Sequence, residues 1–124
     1  ALFAACRLLA LIADDPQRRG ATEIFAAQPQ SVSTPEILID LDTAECRRFM
    51  TQFTQNAQFD DGEVITIDGV RVNFSNGWGL VRASNTVPGL TLRFEAETEE
   101  DLEQIKQQFI QQMLQVKPNL SLNF

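Results

Sequence analysis

Val70-Arg71-Val72-Asn73-Phe74-Ser75-Asn76-Gly77-Trp78-Gly79-Leu80-Val81-Arg82-Ala83, followed after a polar loop by Leu90-Thr91-Leu92-Arg93-Phe94-Glu95, is the stretch that decides the fold. Apolar and polar residues alternate: Val70, Val72 and Phe74 against Arg71, Asn73 and Ser75, then Leu90, Leu92 and Phe94 against Thr91, Arg93 and Glu95. A period of two is that of a strand with one buried face. Asn76-Gly77 predicts a two-residue hairpin turn between the first two strands, and Asp68-Gly69 predicts another just upstream, because both dipeptides tolerate the positive φ of a type I′ turn.

Working outward, Glu63–Ile67 reads as the strand that enters the Asp68-Gly69 turn. Before it, Cys46, Phe49, Met50, Phe53 and Ala57 recur at helical spacing in a helix starting at Thr43, and Glu36–Leu41 alternates as a strand. After the last strand, Thr98-Glu99-Glu100-Asp101 reads as a helix start, with Thr98 as the cap and acids at the positive end of the dipole. Leu102, Ile105, Phe109 and Met113 then form one stripe. The order β-α-β-β-β-β-α predicts an α+β domain: an antiparallel four- to five-stranded sheet, two helices on one face, the other face open to water or a partner. Arg71 and Arg93 fall on the open face, Arg71 as a solvated residue and Arg93 next to the polar loop.

Upstream, Ala1–Ala13 reads as a helix apolar nearly all round, the kind that belongs inside a larger core. Asp14-Asp15-Pro16 ends it, Thr22–Gln28 adds a turn or two, and Pro29–Pro35 is the best linker in the chain. The expected division is residues 1–28 as the helical end of a preceding domain, 29–35 as linker and 36–124 as the domain proper. The first helix lacks a basic n-region, is interrupted by Arg7 and is too short to span a bilayer, so neither a signal peptide nor a membrane anchor is expected. A start on an apolar helix reads as a piece cut from a longer chain, and the orphaned 1–13 helix is expected to hide by pairing with the same helix of a second copy.

The chain has 124 residues, 44% of them hydrophobic and 22% charged, which is a globular composition that needs no disulfide or metal staple. A net charge of −7 with no basic patch argues against nucleic acid. There is no histidine, and Cys6 and Cys46 stand alone, so the common zinc patterns and a histidine base are excluded. Both cysteines read as small core residues, and their usage fits a reducing cytoplasm.

The loop Arg82-Ala83-Ser84-Asn85-Thr86-Val87-Pro88 concentrates donors between two strands. A phosphate monoester offers three strong acceptor oxygens and close to two negative charges. Arginine can meet two of the oxygens with its planar fork, and Ser, Asn and Thr can donate to the rest. The same residue types are ordinary turn formers, so the residues alone leave open a phosphate site or a loop with a solvated arginine.

Asp68-Gly69-Val70-Arg71-Val72, Gly77-Trp78-Gly79-Leu80-Val81-Arg82-Ala83-Ser84-Asn85-Thr86-Val87-Pro88 and Leu92-Arg93-Phe94-Glu95-Ala96 together closely resemble the C-terminal domain of the α-D-phosphohexomutases, in particular the bacterial phosphomannomutase/phosphoglucomutase branch. The family's phosphate-binding loop reads Arg-x-Ser-(Asn or Gly)-Thr-x-Pro, which Arg82, Ser84, Asn85, Thr86 and Pro88 match position by position. Ser33-Thr34-Pro35-Glu36 resembles the entry to that domain, and Ala5-Cys6-Arg7-Leu8-Leu9 the last long helix of the domain before it. Val87 departs from the pattern, since many relatives carry glutamate there.

The resemblance implies an isomerase that interconverts hexose 1-phosphate and hexose 6-phosphate of mannose, glucose or both, through a phosphoserine and a hexose 1,6-bisphosphate intermediate. It implies that Arg82, Ser84, Asn85 and Thr86, with Arg93 as a further candidate, bind the substrate phosphate that is not reacting. It also implies Mg²⁺ in the whole enzyme and three preceding domains as partners. No phosphoserine motif and no aspartate-rich metal loop occur in this sequence, so no catalytic residue and no metal ligand is expected here, and Asp60-Asp61-Gly62-Glu63 reads as a turn. The competing class is a stand-alone anion or small-molecule binding regulatory module built on the same loop, and a third is an interaction domain that docks through the first helix.

Overall fold

The computed structural model describes residues 1–122 and 124. The chain divides into two units, Ala1–Gln30 and Ser31–Phe124.

The first unit holds helix α1, Leu2–Ala13, and the short helix α2, Ala21–Ala26. Asp15 organises the turn between them. Its carboxylate accepts from the backbone N–H groups of Gln17 (3.1 Å) and Arg19 (2.9 Å) and pairs with the Arg19 guanidinium at 2.7 Å. The hydrogen bonds from Arg19 hold the Asp15 carboxyl at about 2. At the start of α2 the Glu23 carboxylate accepts from Gly20 N–H at 2.8 Å, satisfying an amide that the helix leaves orphaned. α1 buries none of its residues. Cys6 is exposed, contrary to the expected core position, because the short α2 of its own unit is too small to bury any face of α1.

The second unit opens with strands β1 (Val32–Ser33) and β2 (Ile37–Asp40), then helix α3 (Thr43–Asn56). Strands β3 (Glu63–Ile65), β4 (Val70–Phe74), β5 (Gly77–Ala83) and β6 (Gly89–Ala96) follow, and helix α4 (Glu99–Val116) closes it. The expected strand and helix order holds. The six strands form one antiparallel sheet in the order β1-β6-β5-β4-β3, with β2 also on β6.

The additional strand is β1, which lies in the segment read as linker. Two residues flanked by a proline give too short a pattern to stand out. It is tied down by Val32 opposite Ala96, by Thr34 N–H to the Phe94 carbonyl (3.0 Å) and by Phe94 N–H to Thr34 Oγ1 (3.1 Å). β1 and β2 thus share one edge of β6, separated at Pro35-Glu36.

α3 and α4 pack on one face of the sheet and on each other. From α3 come Cys46, Phe49 and Phe53, and from α4 Leu102, Ile105, Phe109 and Met113, the whole stripe read from the sequence. They meet Val70, Val72, Val81, Leu90, Leu92, Phe94 and Ala96 of the sheet. Phe109 is the centre: its ring lies 4.7 Å from Phe59 and 5.3 Å, edge to face, from Phe94. It reaches the sheet over Gly79, where a Cβ would come within 2.4 Å of Cε2 of its ring. Both helices are capped as their sequences ask. Asp42 accepts from Glu45 N–H at 2.8 Å, and Thr98 Oγ1 accepts from Asp101 N–H at 3.1 Å.

Both hairpin turns differ from expectation. β3 ends at Ile65, so residues 66–69 form the connection to β4 and Ile67 is 94% exposed. Gly69 has φ +84, but Asp68 has no positive φ, so the turn is not the two-residue type I′. Downstream, Phe74 pairs with Gly77, which puts Ser75-Asn76 in the turn and Gly77 in the strand. Neither Ser75 nor Asn76 has a positive φ. Gly77 serves close approach instead, because a Cβ there would lie 2.3 Å from the Glu95 carbonyl oxygen.

The face away from the helices is less bare than expected. Arg71 is half-buried, with its guanidinium carbon 4.1 Å from the Trp78 ring centroid and Nε donating to Asn73 Oδ1 at 2.8 Å. Thr91 is buried, since β6 is paired on both edges and places it between Leu38 and Arg82.

Candidate functional site

β5 and β6 run antiparallel as far as Ala83 opposite Leu90, and Ser84 N–H donates to the Gly89 carbonyl at 2.9 Å. That bond closes the neck of the loop Ser84–Pro88. Gly89 is buried, with φ +153, and a Cβ there would sit 2.5 Å from the Ile39 carbonyl oxygen, so only glycine lets β6 begin this close to β2. The Gly89 carbonyl also accepts from Cys46 Sγ at 3.2 Å. Burial pushes the Cys46 thiol up, which keeps it a protonated donor. One carbonyl thus fixes the loop foot to α3.

Inside the loop, Ser84 Oγ lies 3.4 Å from the N–H groups of both Thr86 and Val87 and 3.5 Å from Thr86 Oγ1. These long contacts curl the backbone around the serine without consuming the donors strongly. Ser84, Asn85 and Thr86 line one side of an open cleft of about 530 Å³. Thr43, Arg47 and Thr51 of α3 line the other. The volume lies in the range of small-molecule sites.

Ser84, Asn85 and Thr86 are therefore together on one cleft wall. Arg82 is not on that wall. It alternates with the buried Val81 and points to the helix-free face, where Nη1 donates to Asp68 Oδ2 at 3.1 Å. Arg93 is exposed on the same face, diagonal to Arg82 in the register, opposite Leu80. Two contributors escaped the sequence reading. Asp68 looks in the sequence like no more than a turn residue. Arg47 belongs to the stripe Thr43, Arg47, Thr51, whose i, i+4, i+8 spacing beside the apolar stripe was the available signal.

Among the described residues, no group of three or more Cys, Asp or Glu side chains is placed to hold a metal ion. Asp60 and Asp61 sit in a turn closed by Gly62 N–H to the Phe59 carbonyl at 3.4 Å. Among the described residues, no helix is long and apolar enough to cross a membrane.

Residues 35–112 match the family described as phosphoglucomutase/phosphomannomutase, C-terminal domain. The chain belongs to that family. It is 44% identical over 123 residues to the phosphomannomutase/phosphoglucomutase of Pseudomonas putida, an alignment that covers 99% of this chain and 26% of the relative. It is 42% identical over 123 residues to the phosphoglucomutase of Neisseria meningitidis, covering 96% of this chain and 25% of that one. A crystal structure of a phosphoglucomutase/phosphomannomutase family protein from Burkholderia thailandensis matches with a TM-score of 0.79 at 34% identity, over 99% of this chain and 25% of that chain. The chain spans about a quarter of the length of these relatives.

Proposed function

We propose that this chain is the phosphate-binding domain of a phosphohexomutase that interconverts the 1- and 6-phosphates of mannose, glucose or both. The observation that carries the reading is the loop Arg82–Pro88. It matches the family's phosphate-loop pattern and stands at the closed neck of β5 and β6, with three of its donor residues on one cleft.

Ser84, Asn85 and Thr86 from the cleft side of the loop, and Arg82 from its helix-free side, converge at the end of the sheet on the phosphate that is not reacting, with Arg93 as a further contact. The reaction passes through a sugar bisphosphate that must be held in two orientations. A donor set that recognises only the phosphate, far from the reacting centre, serves both and contributes positioning. Ser84 and Thr86 supply rotatable hydroxyl donors, Asn85 a carboxamide donor, and Arg82 the charge. The phosphoserine and the Mg²⁺ of the reaction belong to the rest of the longer chain, together with the preceding domains whose last helix is α1. Closure of this domain over the substrate excludes water, and opening releases product.

The test is binding by the chain itself. Calorimetric titration with inorganic phosphate or glucose 1-phosphate should give saturable binding that Arg82→Ala weakens by about 1.5–3 kcal/mol, the range for a charge-assisted hydrogen bond. Equal affinity in Arg82→Ala would refute the assignment.

A further inference from the structure

The connection between β3 and β4 runs close beside the candidate arginine, since Val70 pairs with Val81. A Cβ on Gly69 would lie 2.3 Å from the Val81 carbonyl oxygen, 2.6 Å from Arg82 Cβ and 2.8 Å from Arg82 Cα. The absence of a side chain at Gly69, with its φ of +84, is therefore what lets this backbone rest on β5 at residues 81–82. Asp68, the residue before, is delivered to the guanidinium by that contact. The pairing is one oxygen to one nitrogen, Oδ2 to Nη1 at 3.1 Å. Among the described residues, Nε and Nη2 of Arg82 make no hydrogen bond, so the outer fork keeps its donors.

We propose that Asp68 is a positioning residue for Arg82: it holds the guanidinium by one amino group and leaves the remaining fork set for a phosphate. This deepens the phosphate-loop reading and rests on it. An exposed pair of this kind contributes little to the stability of a fold; the Asp68 side chain is 71% exposed and that of Arg82 33%. Its consequence is conformational. Arginine carries one of the largest rotamer entropies, and a guanidinium already fixed loses less when the ligand arrives.

The proposal makes a prediction of unusual sign. A carboxylate beside an anion site repels the anion, so electrostatics alone makes Asp68→Asn bind phosphate more tightly. Positioning makes it bind more weakly, by about two- to tenfold, the equivalent of one immobilised side chain. The experiment is an NMR titration of the 124-residue chain with inorganic phosphate at fixed ionic strength, following the amides of Ser84–Val87 and the Arg82 Nε–H signal. Asp68→Asn is expected to lose affinity with an unchanged urea midpoint, and Asp68→Ala, the second variant should the first disturb the loop, is expected to do the same. In an Arg82→Ala background, Asp68→Asn should cause no loss. Equal or tighter binding by both Asp68 variants overturns the proposal, as does the same loss with Arg82 absent. Failure of the phosphate reading is distinguishable: the unsubstituted chain would then show no response at Ser84–Val87, and the proposal would fall with it.

Discussion

Gly79→Ala tests the centre of the fold. The added methyl would begin 2.4 Å from Cε2 and 2.8 Å from Cζ of Phe109 and 2.9 Å from Cδ1 of Phe94. Carbon atoms at rest sit about 3.5–4.0 Å apart, so the Phe109 ring must retreat by about 1 Å. It has little room: Phe109 and Phe94 are both fully buried, and Phe59 flanks Phe109 at 4.7 Å. Overpacking a tight core costs about 1–3 kcal/mol, and a clash on a wedged ring belongs in the upper half of that range. Against it, alanine reduces the freedom of the unfolded chain and returns about 0.4–1 kcal/mol, since Gly79 has no positive φ to forbid a side chain. The expected net loss is about 1–2.5 kcal/mol. Urea unfolding followed by circular dichroism measures it, as a lowered midpoint at unchanged slope. Phe109→Leu in the same background should relieve the clash, so the two substitutions together should cost less than their sum by more than about 0.5 kcal/mol. A Gly79→Ala variant as stable as the parent sequence, or strictly additive costs, would refute the seating of Phe109 on Gly79.

Other expectations follow from single contacts. Thr98→Ala removes the cap on Asp101 N–H and should cost about 1 kcal/mol in the same urea assay. Asp101 is held below its ordinary range by the Thr98 hydroxyl and the Asn76 amide, and Asp42 by the Glu45 N–H. A carboxyl lowered in the folded state contributes stability above its ordinary pKa and loses it as pH falls through the folded value. The urea midpoint should therefore drop on acidification below about pH 4, less steeply in Asp101→Asn, and an equally steep fall in that variant would contradict the assignment. Cys6 is exposed and Cys46 buried with its thiol pushed up, so one thiol should react quickly with an aromatic disulfide reagent and the second only in denaturant. Leu2, Phe3, Leu9 and Leu11 of α1 are all more than 60% exposed. The chain should self-associate through this face, and light scattering should return a monomer mass for Leu9→Glu; a monomer before substitution would dismiss the idea.

The helices were the most legible part. The four core positions of α4 follow from spacing alone because a helix repeats its buried face, and Thr98 announces the start. The strands were legible as strands, but their edges were not. Gly69 and Gly77 look like turn residues in sequence, yet each is fixed by the backbone it touches, Val81 in one case and Glu95 in the other. Alternation puts Thr91 on the open face but does not disclose its burial, since it reports a face and says nothing of neighbours on both edges. In the loop, the residue types and their order were readable. Arg82 pairing with Asp68, and Arg47 facing Ser84–Thr86, join segments far apart in sequence, where no local pattern can register them.

The shared carbonyl of Gly89 gives the cleft a hinge-free floor. Ser84 from the loop and Cys46 from α3 grip the same oxygen, so both walls spring from one anchored point. Beyond it, among the described residues, the tip is held only by the long contacts to Ser84 Oγ, and Val87 is 44% exposed. Drift at the tip can therefore alter the rim of the cleft, its charge included, while the separation of the walls at the base is inherited unchanged. Substitution of the Val87 side chain therefore changes the rim without touching the carbonyl that sets the base.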